Sequence, residues 1–231
     1  MIDVDAVHFC YPAGVTTSRP AEEAHQAGRR HPRGAVRDGL VAAGLDLART
    51  GGPEAVVLRE ATRIVGVVPN AAYRHFTGRD ELLAAVCAAA MGELAGRMAA
   101  AVARVRGTYG DAAAARRRLR AIGIEYLRFA REEPGLFATA FALPQQHAYG
   151  APDDGTGRDR SPLGQLRTVL GELADAGVLS RQRRDGIEYP IWAAVHGLAV
   201  LAGQGPLRDV PEATRRRLDD LTLGFIDGGL A

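Results

Sequence analysis

The chain contains no lysine: all 29 of its basic residues are arginine. With so many alanines, this looks like the codon bias of a GC-rich genome, which weakens any inference from the choice of Arg over Lys. The absence does exclude a phosphate-binding loop that depends on a lysine ammonium. Cysteine is scarce as well. Cys10 and Cys87 are too few for a disulfide framework and fit a reducing compartment. Alternation of β-branched residues is nearly missing, so strands are not expected. No apolar run approaches the length that spans a bilayer. The first residues lack the basic and apolar regions of a secretory signal. The expected location is therefore the cytoplasm, with no membrane partner. Enzymatic constellations are missing too. There is no Gly-x-Ser-x-Gly elbow. "GTGRDR" (155–160) holds two glycines of a dinucleotide fingerprint but lacks the third and follows no strand. His8, Cys10, His25 and His31 have no compact zinc spacing. No catalytic residue, metal or cofactor is expected.

What remains is a chain of 231 residues, 47% hydrophobic and 24% charged, long enough to bury a real core. Its net charge is only +2, but the charge is uneven. Between Arg29 and Asp80 stand nine Arg and five carboxylates, 9 − 5 = +4. Residues 1–33, with "GVTTSRPAEEAHQAGRRHPRG", have neither helical nor alternating period and read as a disordered extension. Two origins stay open for it, a genuine arm or a gene start set too far upstream. Its basic cluster Arg29, Arg30, His31 and Arg33 is either an arm that follows a DNA groove or a solvated tail.

From Ala35 onward, Ala, Leu, Arg and Glu dominate and the chain reads as all-α. A first helix is expected over about 35–50, with Val36, Leu40, Ala43, Leu47 and Ala48 on one face and Gly51 as its cap. Short helices follow at about 57–65 and from Pro69 to Phe76. Longer ones are expected at about 80–105 and 112–132, then a shorter one from Pro134 to Leu143. "PQQHAYGAPDDGTGRDRSP" (144–162) reads as a polar loop. Helices resume at about 163–177, 182–204 and 211–228, with Pro190 either kinking the second of these or marking its true start.

"NAAYRHF" (70–76) sets an amide, a phenol, a guanidinium, an imidazole and a phenyl ring on barely two helical turns. Together with Leu58–Val65 it has the grammar of a helix-turn-helix, two short helices joined by a glycine-containing turn. Gly66 supplies the positive φ, and Pro69 fits the first turn of the second helix. In such a motif the second helix enters the major groove. Asn70 and Ala71 then stand where base edges are read, and Asn pairs bidentately with adenine. Tyr73, Arg74 and His75 carry donors for phosphate oxygens, with Arg59 and Arg79 as further backbone contacts. Phe76 is expected to face inward. The same stretch also fits a plain surface helix in which Tyr73 and Phe76 pack at i, i+3.

At these residues the chain resembles a known family. "VRDGLVAAGLDLARTGG…LREATRIVGVVPNAAYRHFTGRDELLAAV" is similar to the DNA-binding domain of TetR-family transcriptional regulators over roughly 35–87. The resemblance rests on the pattern of helix one, the Gly-Val turn, Tyr73, His75, Phe76, and the basic residue before Leu82 and Leu83. Three departures stand out. Val68 replaces the usual Ser or Thr cap, a change worth about 1 kcal/mol. Ala61 and Thr62 replace Ile and Ala, and Arg79 replaces Lys.

The resemblance implies a three-helix DNA-binding domain over 34–80, followed by a ligand-binding and dimerisation domain over 81–231. It implies a homodimer on a double-stranded DNA operator, most simply a repressor released by a small-molecule effector. The alternative is an all-helical ligand-binding or interaction protein without DNA binding, which Val68, Ala61 and Thr62 motivate. "IWAAVHGLAVLAG" (191–203) resembles a Trp-x-x-x-His-Gly stretch of one TetR-family C-terminal domain type, here Trp192, His196 and Gly197. By that resemblance, about 187–204 and 211–228 form the dimer bundle. Candidates for lining an effector pocket are Tyr126, Phe129, Phe137, Phe141, Trp192 and His196, although aromatics at helical spacing also make plain core.

Overall fold

The computed structural model describes residues 34–143 and 159–230. The N-terminal extension, with His8, Cys10, His25, His31 and its arginine cluster, lies outside the described residues, as does most of the polar loop at 144–162. The described chain is all-α. Its helices are α1 (Ala35–Gly51), α2 (Leu58–Val65), α3 (Pro69–Tyr73), α4 (Arg79–Ala103), α5 (Ala112–Glu132), α6 (Pro134–Ala140), α7 (Pro162–Asp175), α8 (Arg181–Arg184), α9 (Glu188–Gly203) and α10 (Glu212–Gly228). A 3₁₀ turn, Pro53–Ala55, links α1 to α2.

Local sequence explains most boundaries. Asp111 caps α5, its carboxylate accepting from the N–H groups of Ala113 and Ala114 at 2.9 and 3.2 Å. Ser161 does the same for α7 through Gly164 at 3.0 Å. Gly66, at φ 73, closes α2 in the left-handed region. Several boundaries differ from the sequence expectation. The positive φ after α1 falls on Gly52, at 65, rather than on Gly51, which is still helical. The expected helix 182–204 is two helices, with Pro190 in the first turn of α9, where its missing N–H leaves no bond unmade.

α4 is the central helix. Leu82, Val86, Ala90 and Leu94 are fully buried, and the helix packs against α1, α5, α6 and α7. By length and composition it could also cross a membrane, which the sequence reading had not expected of any segment. Half of its apolar window is buried inside the protein, as suits a core helix. Cys87 lies on its buried side, and burial pushes the thiol up to about 11.

Close approaches fix the joints. A Cβ at Gly44 would meet the Val86 side chain at 2.4 Å, so α1 and α4 touch through a glycine. A Cβ at Gly135 would lie 2.2 Å from the Ala48 carbonyl oxygen, so α6 begins directly against the last turn of α1. Ion pairs surround that joint. Arg49 reaches Glu93 at 2.8 Å and Glu133 at 3.4 Å, while Arg97 reaches Glu132 at 3.0 Å and Glu133 at 3.1 Å. Elsewhere Arg118 pairs with Glu172, whose side chain is only 6% exposed. Arg118 also donates to the Gly107 carbonyl at 2.6 Å.

Candidate nucleic-acid interface and internal cavity

The α2–α3 unit is built around a few small buried residues. Ala61 and Ala72 are fully buried, and Thr62 nearly so. The Thr62 hydroxyl donates to the Arg59 carbonyl at 2.6 Å, and its own carbonyl accepts from Gly66 and Val67 at 3.0 and 3.2 Å. Thus the turn is closed by backbone, and a threonine fits where its hydroxyl has a local acceptor. Phe76 is buried beneath the Arg37 guanidinium, whose carbon lies 5.4 Å from the ring centre. To bring that ring inward, the chain leaves the helix after Tyr73, so α3 has five residues rather than the eight expected for 69–76. The link to α4 is closed by Thr77, whose N–H and hydroxyl donate to Glu81 at 2.6 and 2.9 Å. These bonds hold the Glu81 carboxyl below its ordinary range.

The outward side of this unit is different. Asn70, Tyr73 and Arg74 are exposed, Ala71 and His75 are half-buried, and Arg59 on α2 is exposed. None of these side chains makes a hydrogen bond or ion pair among the described residues. Val68 precedes α3 with extended backbone and supplies no cap. Arg79 is turned back instead. Its guanidinium donates to the Pro53 carbonyl at 2.9 Å and to Glu54 at 3.3 Å, tying the start of α4 to the 3₁₀ turn.

A cavity of about 230 Å³ lies among α4, α5, α7, α9 and α10. Its wall is mostly apolar, with Met91, Met98, Leu119, Ile122, Leu166 and Ile191 prominent. Of the aromatics singled out by sequence, Tyr126, Phe141 and Trp192 stand on this wall. Phe137 and His196 stand behind it, in a ring cluster with Tyr126 and Phe141 at centroid distances of 4.7 to 6.4 Å. Phe129 belongs elsewhere. It is fully buried, away from the cavity, with the Arg97 guanidinium carbon 5.1 Å from its ring centre. Trp192 Nε1 donates to the Tyr126 hydroxyl at 3.2 Å, and that hydroxyl meets His196 Nδ1 at 2.8 Å. Burial holds His196 below its ordinary pKa, so the ring is neutral near pH 7. Sequence reasoning had not singled out Arg116, Arg117, Arg120 and Asp227, which also line the cavity.

A helix-turn-helix with an outward polar face, joined to longer helices around an apolar cavity, defines an all-helical fold. Residues 119–224 match the family model described as tetracyclin repressor-like, C-terminal domain. A protein of unknown function from Rhodococcus sp. RHA1 shares the fold with TM-score 0.67 at 22% identity, covering 89% of this chain and all of that one. A protein from Pseudomonas aeruginosa PAO1, described as a candidate transcriptional regulator, superposes with TM-score 0.59 at 18% identity, covering 87% of this chain and 94% of that one. No curated protein matches the sequence. The C-terminal part of the chain thus carries a tetracyclin repressor-like domain.

Proposed function

We propose that the protein is a homodimeric, non-enzymatic transcriptional repressor of the cytoplasm that leaves its DNA operator when a small molecule fills the cavity. The observation that carries this reading is the outward side of α3. Asn70, Tyr73 and Arg74 are exposed, and unpaired among the described residues, on a motif whose inner side is fully packed. In this reading residues 34–80 are the DNA-binding domain and 81–231 the effector and dimerisation domain. Asn70 and Ala71 read base edges, while Arg59, Tyr73, Arg74 and His75 hold phosphates. Arg79 acts by positioning the turn at Pro53–Ala55.

Support for the dimer comes from α9 and α10. Phe225 is 78% exposed, and Leu221, Leu201 and Val200 are exposed with it, whereas Leu198, Leu223 and Ile226 on the same helices are buried. An apolar face of this kind asks for a partner, and a second copy sets two α3 helices on successive turns of the groove, roughly 34–36 Å apart. An effector releases DNA only by its differential affinity for the two arrangements.

The test is fluorescence anisotropy with the duplex immediately upstream of the gene, titrated with salt against random duplex. Sequence-preferring binding whose log affinity falls linearly with log salt is the expected result. Binding no better than to random duplex, for this and for genome-selected fragments, favours the second reading, a helical ligand-binding protein without DNA contact. The uncapped start of α3 at Val68 is the observation on that side.

A further inference from the structure

The cavity is apolar along most of its wall but charged at one end. Arg116, Arg117 and Arg120 line it with Asp227, and 3 − 1 leaves a lining charge of +2. The arginines stand on the first turns of α5, and Tyr126 follows Arg116 by ten residues. At 1.5 Å per residue, that is about 15 Å along the helix. The cavity therefore runs lengthwise beside α5, with guanidinium groups at one end and aromatic rings at the other. Arg117 and Arg120 are exposed, so the charged end is the one that meets water. Two of the three arginines have close carboxylate partners on α10. Arg116 donates to Asp227 at 2.5 Å, and Arg120 to Asp220 at 2.6 Å. Among the described residues, Arg117 has only the Arg106 carbonyl at 3.1 Å and Asp111 at 4.0 Å.

We propose that the effector is a compact amphipathic monoanion, an apolar body bearing one carboxylate, which is held by Arg117 and by Arg116 in place of Asp227. The inference rests on the reading of the cavity as an effector site. Guanidinium groups bind carboxylates through paired, charge-assisted hydrogen bonds, so the site distinguishes an acid from an alcohol of equal length. A cation finds only carboxylates that already face an arginine there. At the other end, Trp192, Tyr126 and His196 are bonded to one another, which suits the apolar end of the ligand. The volume lies below the roughly 300–1,000 Å³ usual for ligand pockets, which restricts the body to a short chain or a single ring system. Exchange of Asp227 for the ligand carboxylate also removes a tie between α5 and α10, the helix that carries Leu221 and Phe225.

Trp192 is the only tryptophan of the chain and stands on the cavity wall, so its fluorescence reports occupancy. The full chain is titrated with octanoate, octanol and octylamine. Octanoate is expected to saturate the signal at a concentration at least about tenfold below octanol, with octylamine weakest. Arg117→Gln should remove the preference for octanoate and leave octanol unchanged. Asp227→Asn should tighten octanoate, a gain that a damaged fold does not give. Equal binding of octanoate and octanol overturns the proposal while the effector pocket stands, since the alcohol still fills it. A preference that survives both Arg117→Gln and Arg116→Gln overturns it likewise. Silence of Trp192 towards all three compounds overturns the proposal and the effector-pocket reading together.

Discussion

The outer side of α3 and the wall of the cavity handle polar groups in opposite ways. On α3 the side chains of Asn70, Tyr73 and Arg74 are exposed and unpaired among the described residues. Around the cavity, Tyr126, Trp192 and His196 are bonded to one another, and Arg116 to Asp227. The reason is solvation. An exposed donor is satisfied by water and can exchange that water for another acceptor at little cost. A buried donor without a partner costs about 1–3 kcal/mol, so an interior site must pair its polar groups before any ligand arrives. One surface keeps its donors available through hydration; the other offers shape first and polarity only at its open end.

This contrast says where a substitution should damage the fold and where it should damage recognition alone. The largest effect is expected inside, at Glu172→Ala. It leaves Arg118 without its carboxylate in a mostly buried position, and urea denaturation should show a loss of about 3–5 kcal/mol. Gly135→Ala comes next. Its new methyl group meets the Ala48 carbonyl, a rigid neighbour, and the expected loss is about 1–3 kcal/mol in the same assay. His196 should give a smaller, pH-dependent effect. Its folded pKa is depressed by burial, so the unfolded chain takes up that proton more readily. Its contribution is complete above about pH 6.5, the ordinary histidine value, and is lost as pH falls through the folded value. Thermal melts between pH 7.5 and 5.5 should show a decline that His196→Phe flattens. At the other extreme, Arg74→Gln should leave the melt unchanged to within about 0.5 kcal/mol. The same variant should lower the magnitude of the DNA-binding salt slope by about one. A marked loss of stability there would mean that α3 is structural and that the two surfaces do not differ in this way.

Most of the helical architecture was legible in the sequence because its boundaries are set locally. Asp111, Ser161, Gly66 and Pro134 each act within one turn of their own position. The outline of the helix-turn-helix was legible for the same reason. What required the tertiary structure was the end of α3, where burial of Phe76 overrides helical continuation. The cavity was legible only in part. Tyr126, Phe141 and Trp192 could be singled out as large rings, but nothing in local spacing separates them from Phe129, which is plain core. Wall and core differ only in how five helices are set against one another. The arginines of α5 were hidden in the same way. A run of charges on an amphipathic helix looks identical whether it faces open water or borders a cavity.

Among the described residues, the ion pairs that join α1 to α4 and to the link between α5 and α6 have guanidinium groups as their cations, Arg49 and Arg97. A guanidinium keeps its proton at every pH a protein meets, whereas a lysine ammonium gives it up in strong base. Alkali that reaches the Cys87 thiol at about 11 therefore leaves the cations of this joint in place.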